Sequence, residues 1–199
     1  VMQKRGTAIV DIDSIITAVQ GPHSVSVRLN VDSADIILTA VYGPNESTDT
    51  LNSEYFNEIN SNLALLTQTG CETKIVAGDF NTVINEADSS SQNPLPTHKK
   101  LTRQAIINLM ESHQLEDIAL AHPAGQTHTW TRTDNTGNNK DKRQSSRLDR
   151  VLATANTKSS NFETLVLPTF DHKAVSVDIN IGVKKKRLLS HKTTFSDQP

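Results

Sequence analysis

Two hydrophobic periodicities alternate along the chain. Val25, Val27 and Leu29 are separated by Ser24, Ser26 and Arg28, the period of two that a half-buried strand requires. Residues 36–42 form a near-continuous apolar run closed by Gly43-Pro44, which predicts a buried strand followed by a turn. Tyr55, Ile59, Leu63 and Leu66 then recur at spacings of three and four, the pattern of an amphipathic helix. Residues 74–77 predict another buried strand, running into Gly78. The polar, proline-bearing stretch 89–96 reads as a loop. A second helix is predicted from Thr97, an acceptable N-cap, with Leu101, Ala105, Ile106, Leu109 and Met110 on one side. Short strands are predicted at 7–10, 127–133 (with Trp130 in the core) and 148–152. Val175, Val177, Ile179 and Ile181 alternate with polar residues in a last strand. Residues 134–147 have the composition of an exposed hairpin tip or loop. Interleaved strands and helices imply an α/β domain, sheets covered by helices. The pattern stops at Gly182, so the domain is expected to span 1–182, with 183–199 a basic polar tail or linker opened by Lys184-Lys185-Lys186-Arg187.

Composition narrows this picture. The 199 residues suit one domain with a real core. A formal charge of −2 provides no global basic field, so contact with a polyanion must come from local clusters. One cysteine, Cys71, excludes an internal disulfide and suits a reducing compartment. No apolar run is long enough for a membrane span, and residues 1–9 lack the layout of a secretion signal. A soluble intracellular protein is expected.

Four short segments carry candidate chemistry. In Ile75-Val76-Ala77-Gly78-Asp79-Phe80-Asn81-Thr82 an apolar strand ends by presenting a carboxylate and a carboxamide two residues apart. Strand alternation would place both on one face. Gly78 permits another backbone or a ligand to approach closely. A carboxylate can orient or deprotonate water and an amide can donate to a phosphate oxygen, although Gly-Asp and Asn also form ordinary turns. In Phe170-Asp171-His172, Asp171 is a hard oxygen donor suited to Mg²⁺, and His172 can hydrogen-bond or protonate a phosphoryl oxygen. Ser146-Arg147-Leu148-Asp149-Arg150 places Asp149 at a strand start, between two arginines. Val41-Tyr42-Gly43-Pro44-Asn45 ends a buried strand on a tyrosine.

The succession Tyr-Gly-Pro-Asn, Gly-Asp-Phe-Asn, Ser-Arg-Leu-Asp and Asp-His resembles the endonuclease/exonuclease/phosphatase superfamily. The flanking text at 5–9, 81–88, Thr129-Trp130 and 145–152 is similar to the endonuclease domains of non-LTR (LINE-type) retrotransposons. That resemblance implies a four-layered α/β sandwich of two packed mixed sheets flanked by helices, and a nuclease that nicks one strand of duplex DNA to prime reverse transcription. It implies Asp79, Asn81, Asp149, His172 and Tyr42 as catalytic residues, with Asn45, Thr129, Ser146 and Arg147 against the substrate. Asp171 would bind Mg²⁺, Mn²⁺ being an alternative. It further implies double-stranded DNA as partner, a fused reverse transcriptase, a nuclear location and no membrane. Lys140, Lys142, Arg143 and Arg147 would lie on a hairpin that probes DNA beside the cut. An abasic-site repair nuclease, another phosphodiesterase of the superfamily, and a non-catalytic element remnant are the alternatives.

Two departures qualify the expectation. In the family, a strand bearing an Asn and a segment ending in a metal-binding Glu precede the Arg-Gly-Thr-Ala-Ile stretch, which here begins at Arg5. The chain is therefore expected to be an N-terminally truncated domain, with an unpaired sheet edge and weak or no activity. Phe170 stands where the family usually has a serine.

Overall fold

The computed structural model describes residues 15–31, 34–45, 48–68, 71, 73–90, 97–122, 128–134, 142–168 and 170–181. Several expectations lie outside them: the strand at 7–10, the Arg5–Gly6–Thr7–Ala8–Ile9 match, most of the 89–96 loop, the hairpin tip with Lys140, and the basic tail.

Three strands open the described chain: β1 (Ile15–Gln20), β2 (Ser24–Val31) and β3 (Ala34–Tyr42). Helix α1 (Asp49–Thr67) leads to β4 (Thr73–Asp79). Because β3 and β4 pair in parallel, the chain must cross between their ends, and α1 is that crossover. Helix α2 (Lys100–His113) follows, then β5 (Leu115–Asp117), the hairpin β6 (Trp130–Asp134) and β7 (Lys142–Ser146), β8 (Asp149–Thr154), β9 (Lys158–Val166) and β10 (Lys173–Asn180). A mixed six-stranded sheet runs β1-β2-β3-β4-β8-β5, with all pairs antiparallel except β3–β4.

One face of this sheet is covered by the two helices. Tyr55, Ile59, Leu63 and Leu66 are all buried, as their spacing predicts, and meet Ile37, Val76, Leu152, Ile106 and Leu109 in one core. The opposite face packs through Ile36, Ile75, Val151 and Ala153 against Phe162 of β9 and the alternating Val175, Val177 and Ile179 of β10. The β6–β7 hairpin joins that second sheet through an antiparallel bridge between Trp130 and His172. Among the described residues this makes three layers, helices on sheet on sheet; the fourth, helical layer is not among them.

Several local expectations change. On β2 Leu29 is buried and Val27 partly so, as expected, but Ser24, Ser26 and Arg28 are buried too, while Val25 is 44% exposed. Polar burial is tolerated because Ser26 Oγ and Thr39 Oγ1 bond at 2.9 Å and Arg28 pairs with Asp35 at 2.6 Å. Thr97 opens a short 3₁₀ turn rather than capping α2. The cap comes from Asp49 of α1, whose carboxylate accepts from Leu101 N (2.6 Å) and Thr102 N (2.9 Å), satisfying donors that a helix start leaves open. Leu101 faces solvent. Strands β1, β5 and β9 were not legible, and β7 occupies part of the stretch that reads as a hairpin tip or loop.

Candidate active site

The site begins where β3 and β4 end side by side. Gly78 has φ +143°, and a Cβ there would run into the Val41 carbonyl oxygen; one on Gly43 would lie 2.5 Å from the Phe80 carbonyl oxygen. Only glycine lets these backbones approach so closely. Asn81 adopts φ 48°, a left-handed conformation asparagine tolerates. Its N–H donates to Asp79 Oδ1 at 2.8 Å and its Nδ2 to the Gly43 carbonyl at 2.7 Å. The strand alternation expected of Asp79 and Asn81 thus gives way to an Asx turn. One oxygen of Asp79 is fixed by that turn, and Oδ2 points toward His172.

Strand register sets the rest. Tyr42 is opposite Asp79, and Asp79 is opposite Asp149. Like charges directly across a strand pair repel. The imidazole of His172 offsets that cost: its Nδ1 lies 2.9 Å from Asp149 Oδ2 and its Nε2 3.9 Å from Asp79 Oδ2. Burial and the neighbouring Asp149 charge push the Asp79 carboxyl upward, against the Asn81 N–H and the charges of His172 and Lys99. For His172, burial disfavours the imidazolium. The Asp149 hydrogen bond and the charges of Asp149, Asp79 and Asp171 outweigh it and hold the ring above its ordinary value. An Nδ1–H donated to Asp149 leaves Nε2 facing the cleft.

The other sequence-predicted residues fall into two groups. Tyr42 is 61% exposed at the rim, and Asn45 is exposed beside it, accepting from Lys99. Thr129, Ser146 and Arg147 lie underneath. The Thr129 hydroxyl accepts from Leu148 N (3.1 Å) and Asp149 N (3.0 Å), while its backbone bonds Ser146 and Lys173, tying together the segments that carry Asp149 and His172. Thr129→Val keeps the shape but strands two N–H donors, and a loss of about 1–3 kcal/mol in urea denaturation is expected. Ser146 is buried in β7. Arg147 is only 3% exposed and locked to Asp88 (2.7 Å) and Asp117 (2.6 Å), with Arg150 pairing the same two carboxylates. The expected substrate contact by Arg147 is corrected to a place in a buried four-charge network.

Asp171 is exposed and accepts from the Trp130 indole Nε1 at 3.1 Å, so Trp130 is not a core residue. Among the described residues, the group able to hold a cation is Asp79, Asp149 and His172, whose ligand atoms lie within 4.8 Å of one another; Asp171 is not part of it. Two carboxylates supply the hard oxygens that a divalent cation such as Mg²⁺ prefers, and the imidazole is already bound to Asp149 through Nδ1. Phe170 is 68% exposed, held in a turn by its N–H to the Leu167 carbonyl at 3.1 Å. Sequence reading passed over Lys99, whose Nζ donates to the Asn81 carbonyl at 2.9 Å and to Asn45 Oδ1 at 3.3 Å.

A sequence profile of the Endonuclease/Exonuclease/phosphatase family matches residues 5–197. The chain belongs to the Endonuclease/Exonuclease/phosphatase family. Solved structures of similar fold include an AP endonuclease from Archaeoglobus fulgidus, at 16% identity and a TM-score of 0.58, covering 78% of this chain and 65% of that one. A 3′ phosphatase from Neisseria bound to a product DNA hairpin is 17% identical, TM-score 0.59, covering 79% and 65%. The endonuclease domain of TRAS1, a telomere-specific non-LTR retrotransposon, is 18% identical, TM-score 0.55, covering 88% and 72%. The chain thus spans 65% of the length of the AP endonuclease and of the 3′ phosphatase. No curated protein sequence matches it. No helix among the described residues is long and apolar enough to cross a membrane.

Proposed function

We propose that this chain is the catalytic part of a divalent-metal-dependent endonuclease that nicks one strand of duplex DNA, in the manner of a non-LTR retrotransposon endonuclease working in the nucleus beside a fused reverse transcriptase. The observation that carries the reading is the imidazole of His172 set between Asp79 and Asp149 at the open end of β4 and β8. Support for the retrotransposon subclass comes from the flanking sequence and from the fold shared with the TRAS1 domain.

Each residue has a physical task. Asp79, its carboxyl raised by burial, is a better proton acceptor than an ordinary aspartate, and its free Oδ2 receives the proton of an attacking water. Asn81 holds Asp79 in the turn and presents its amide to the same space. His172, favoured as the cation by Asp149, hydrogen-bonds a phosphoryl oxygen as charge builds there. Tyr42 and Asn45 at the rim donate to phosphate oxygens. A Mg²⁺ or Mn²⁺ ion against Asp79 and Asp149 would stabilise developing negative charge and the leaving oxygen.

The test uses the full-length protein carrying this chain, with lesion-free supercoiled plasmid and Mg²⁺. Conversion to the open circle is expected, abolished by chelation. Cleavage confined to duplex containing abasic sites would assign the repair reading instead, and an intact plasmid in both cases would remove the enzyme reading.

A further inference from the structure

The Lys99 ammonium is unusual for its partners. It sits half-buried at the start of α2, and both groups it donates to are neutral: the Asn81 carbonyl and the Asn45 side-chain oxygen. Among the described residues no carboxylate pairs with it directly, although the charges of Asp79 and Asp49 act on it from further away; burial, the larger influence, draws its pKa down. A cation taken partly out of water without an anion at hand carries an unrecovered desolvation cost. An ammonium has three protons, and the two described acceptors leave one for a ligand. The arginines of the Ser146–Arg150 segment are no substitute, because Arg147 and Arg150 are consumed by Asp88 and Asp117. A phosphodiester entering beside Asp79 and Asp149 meets two carboxylates, and the Lys99 ammonium beside Asn45 and Asn81 is a cation placed to offset them.

We propose that Lys99 is a substrate contact, its ammonium binding a non-bridging oxygen of the nucleic-acid phosphate seated between Asn45 and Asn81. This rests on the nuclease reading above and adds to it the residue that fixes the backbone by charge rather than by sequence. The two hydrogen bonds preorganise it: the same side chain that meets the phosphate also braces the left-handed turn carrying Asn81.

The experiment measures duplex DNA binding by fluorescence anisotropy over a KCl series, with Ca²⁺ replacing Mg²⁺ to suppress cutting, alongside steady-state cleavage. K99M, K99Q and K99R are compared with wild type and with K158M, a lysine on distant β9. K99M and K99Q are expected to bind about tenfold more weakly, and to lower the slope of log K against log salt by about one phosphate contact, mainly through KM. K99R is expected to restore the slope. K99Q keeps donors toward Asn81 and Asn45, so it carries the comparison if K99M unfolds in a thermal melt. K99M and K99Q with wild-type slope and KM would overturn the proposal. A wild type that binds duplex but never cuts removes the nuclease reading while the slope still reports on Lys99; a wild type that does not bind duplex overturns both.

Discussion

Asp79→Asn is expected to reduce cleavage about 10³-fold while leaving the fold as stable as wild type or more so. Asparagine retains an oxygen for the Asn81 N–H and so keeps the Asx turn, but it cannot accept the proton of a water. It also removes one of two carboxylates facing each other across β4 and β8, a repulsion that the native pair sustains. General-base catalysis of this kind contributes about 10²- to 10⁴-fold, and a stability gain on its removal marks a strained functional position. His172→Asn should fall by a comparable factor. The double variant should fall little further, because groups acting on one proton transfer and one developing charge lose their value together. Single-turnover cleavage and thermal melting check this. Rates within tenfold of wild type for either single variant would remove Asp79 and His172 from the chemistry.

The second large effect lies beneath the cleft and concerns stability. Asp117→Ala is expected to cost about 3–5 kcal/mol in urea denaturation at neutral pH, since it leaves Arg147 and Arg150 buried with one carboxylate between them. Asp88→Ala should cost as much. Burial alone would raise the Asp88 carboxyl, but the charges and hydrogen bonds of Arg150 and Arg147 outweigh it and hold it below its ordinary 3.8. A depressed carboxyl contributes stability that is present above its unfolded value and lost as pH falls through the folded one. Wild type should therefore weaken steeply on the acid side of pH 4, and Asp88→Asn should lower stability at neutral pH and flatten that slope. An unchanged acid limb in Asp88→Asn would show that the network is not where the protein meets acid.

How much of this was legible varies with the physics behind each element. Helix α1 was readable because burial of Tyr55, Ile59, Leu63 and Leu66 is what their spacing exists to achieve. Asp79, Asp149 and His172 were readable as candidates because each is a polar group at a strand terminus. The resemblance supplied their joint task, and the structure brings the three together. Strand β2 misled in part, since Ser26 and Arg28 are buried by pairing with Thr39 and Asp35, partners that composition does not reveal. Strand β9 has little apolar alternation and buries chiefly Phe162. Arg147 read as a surface cation because Asp88 and Asp117 are remote in sequence and only folding delivers them. Lys99 was invisible for the opposite reason: one of its acceptors is a backbone carbonyl, which every residue has.

The quartet under the cleft also governs how descendants of this chain can diverge. Asp88, Asp117 and the Arg147–Arg150 pair come from three separate stretches, yet each acid answers to both bases. A change at any one is punished by the two left behind, so drift is blocked position by position and open only to concerted replacement, for instance by apolar residues of matching volume. Above it, exposed rim residues such as Tyr42 and Phe170 face no such veto. Lineages can retune what the cleft touches one residue at a time while inheriting its foundation whole.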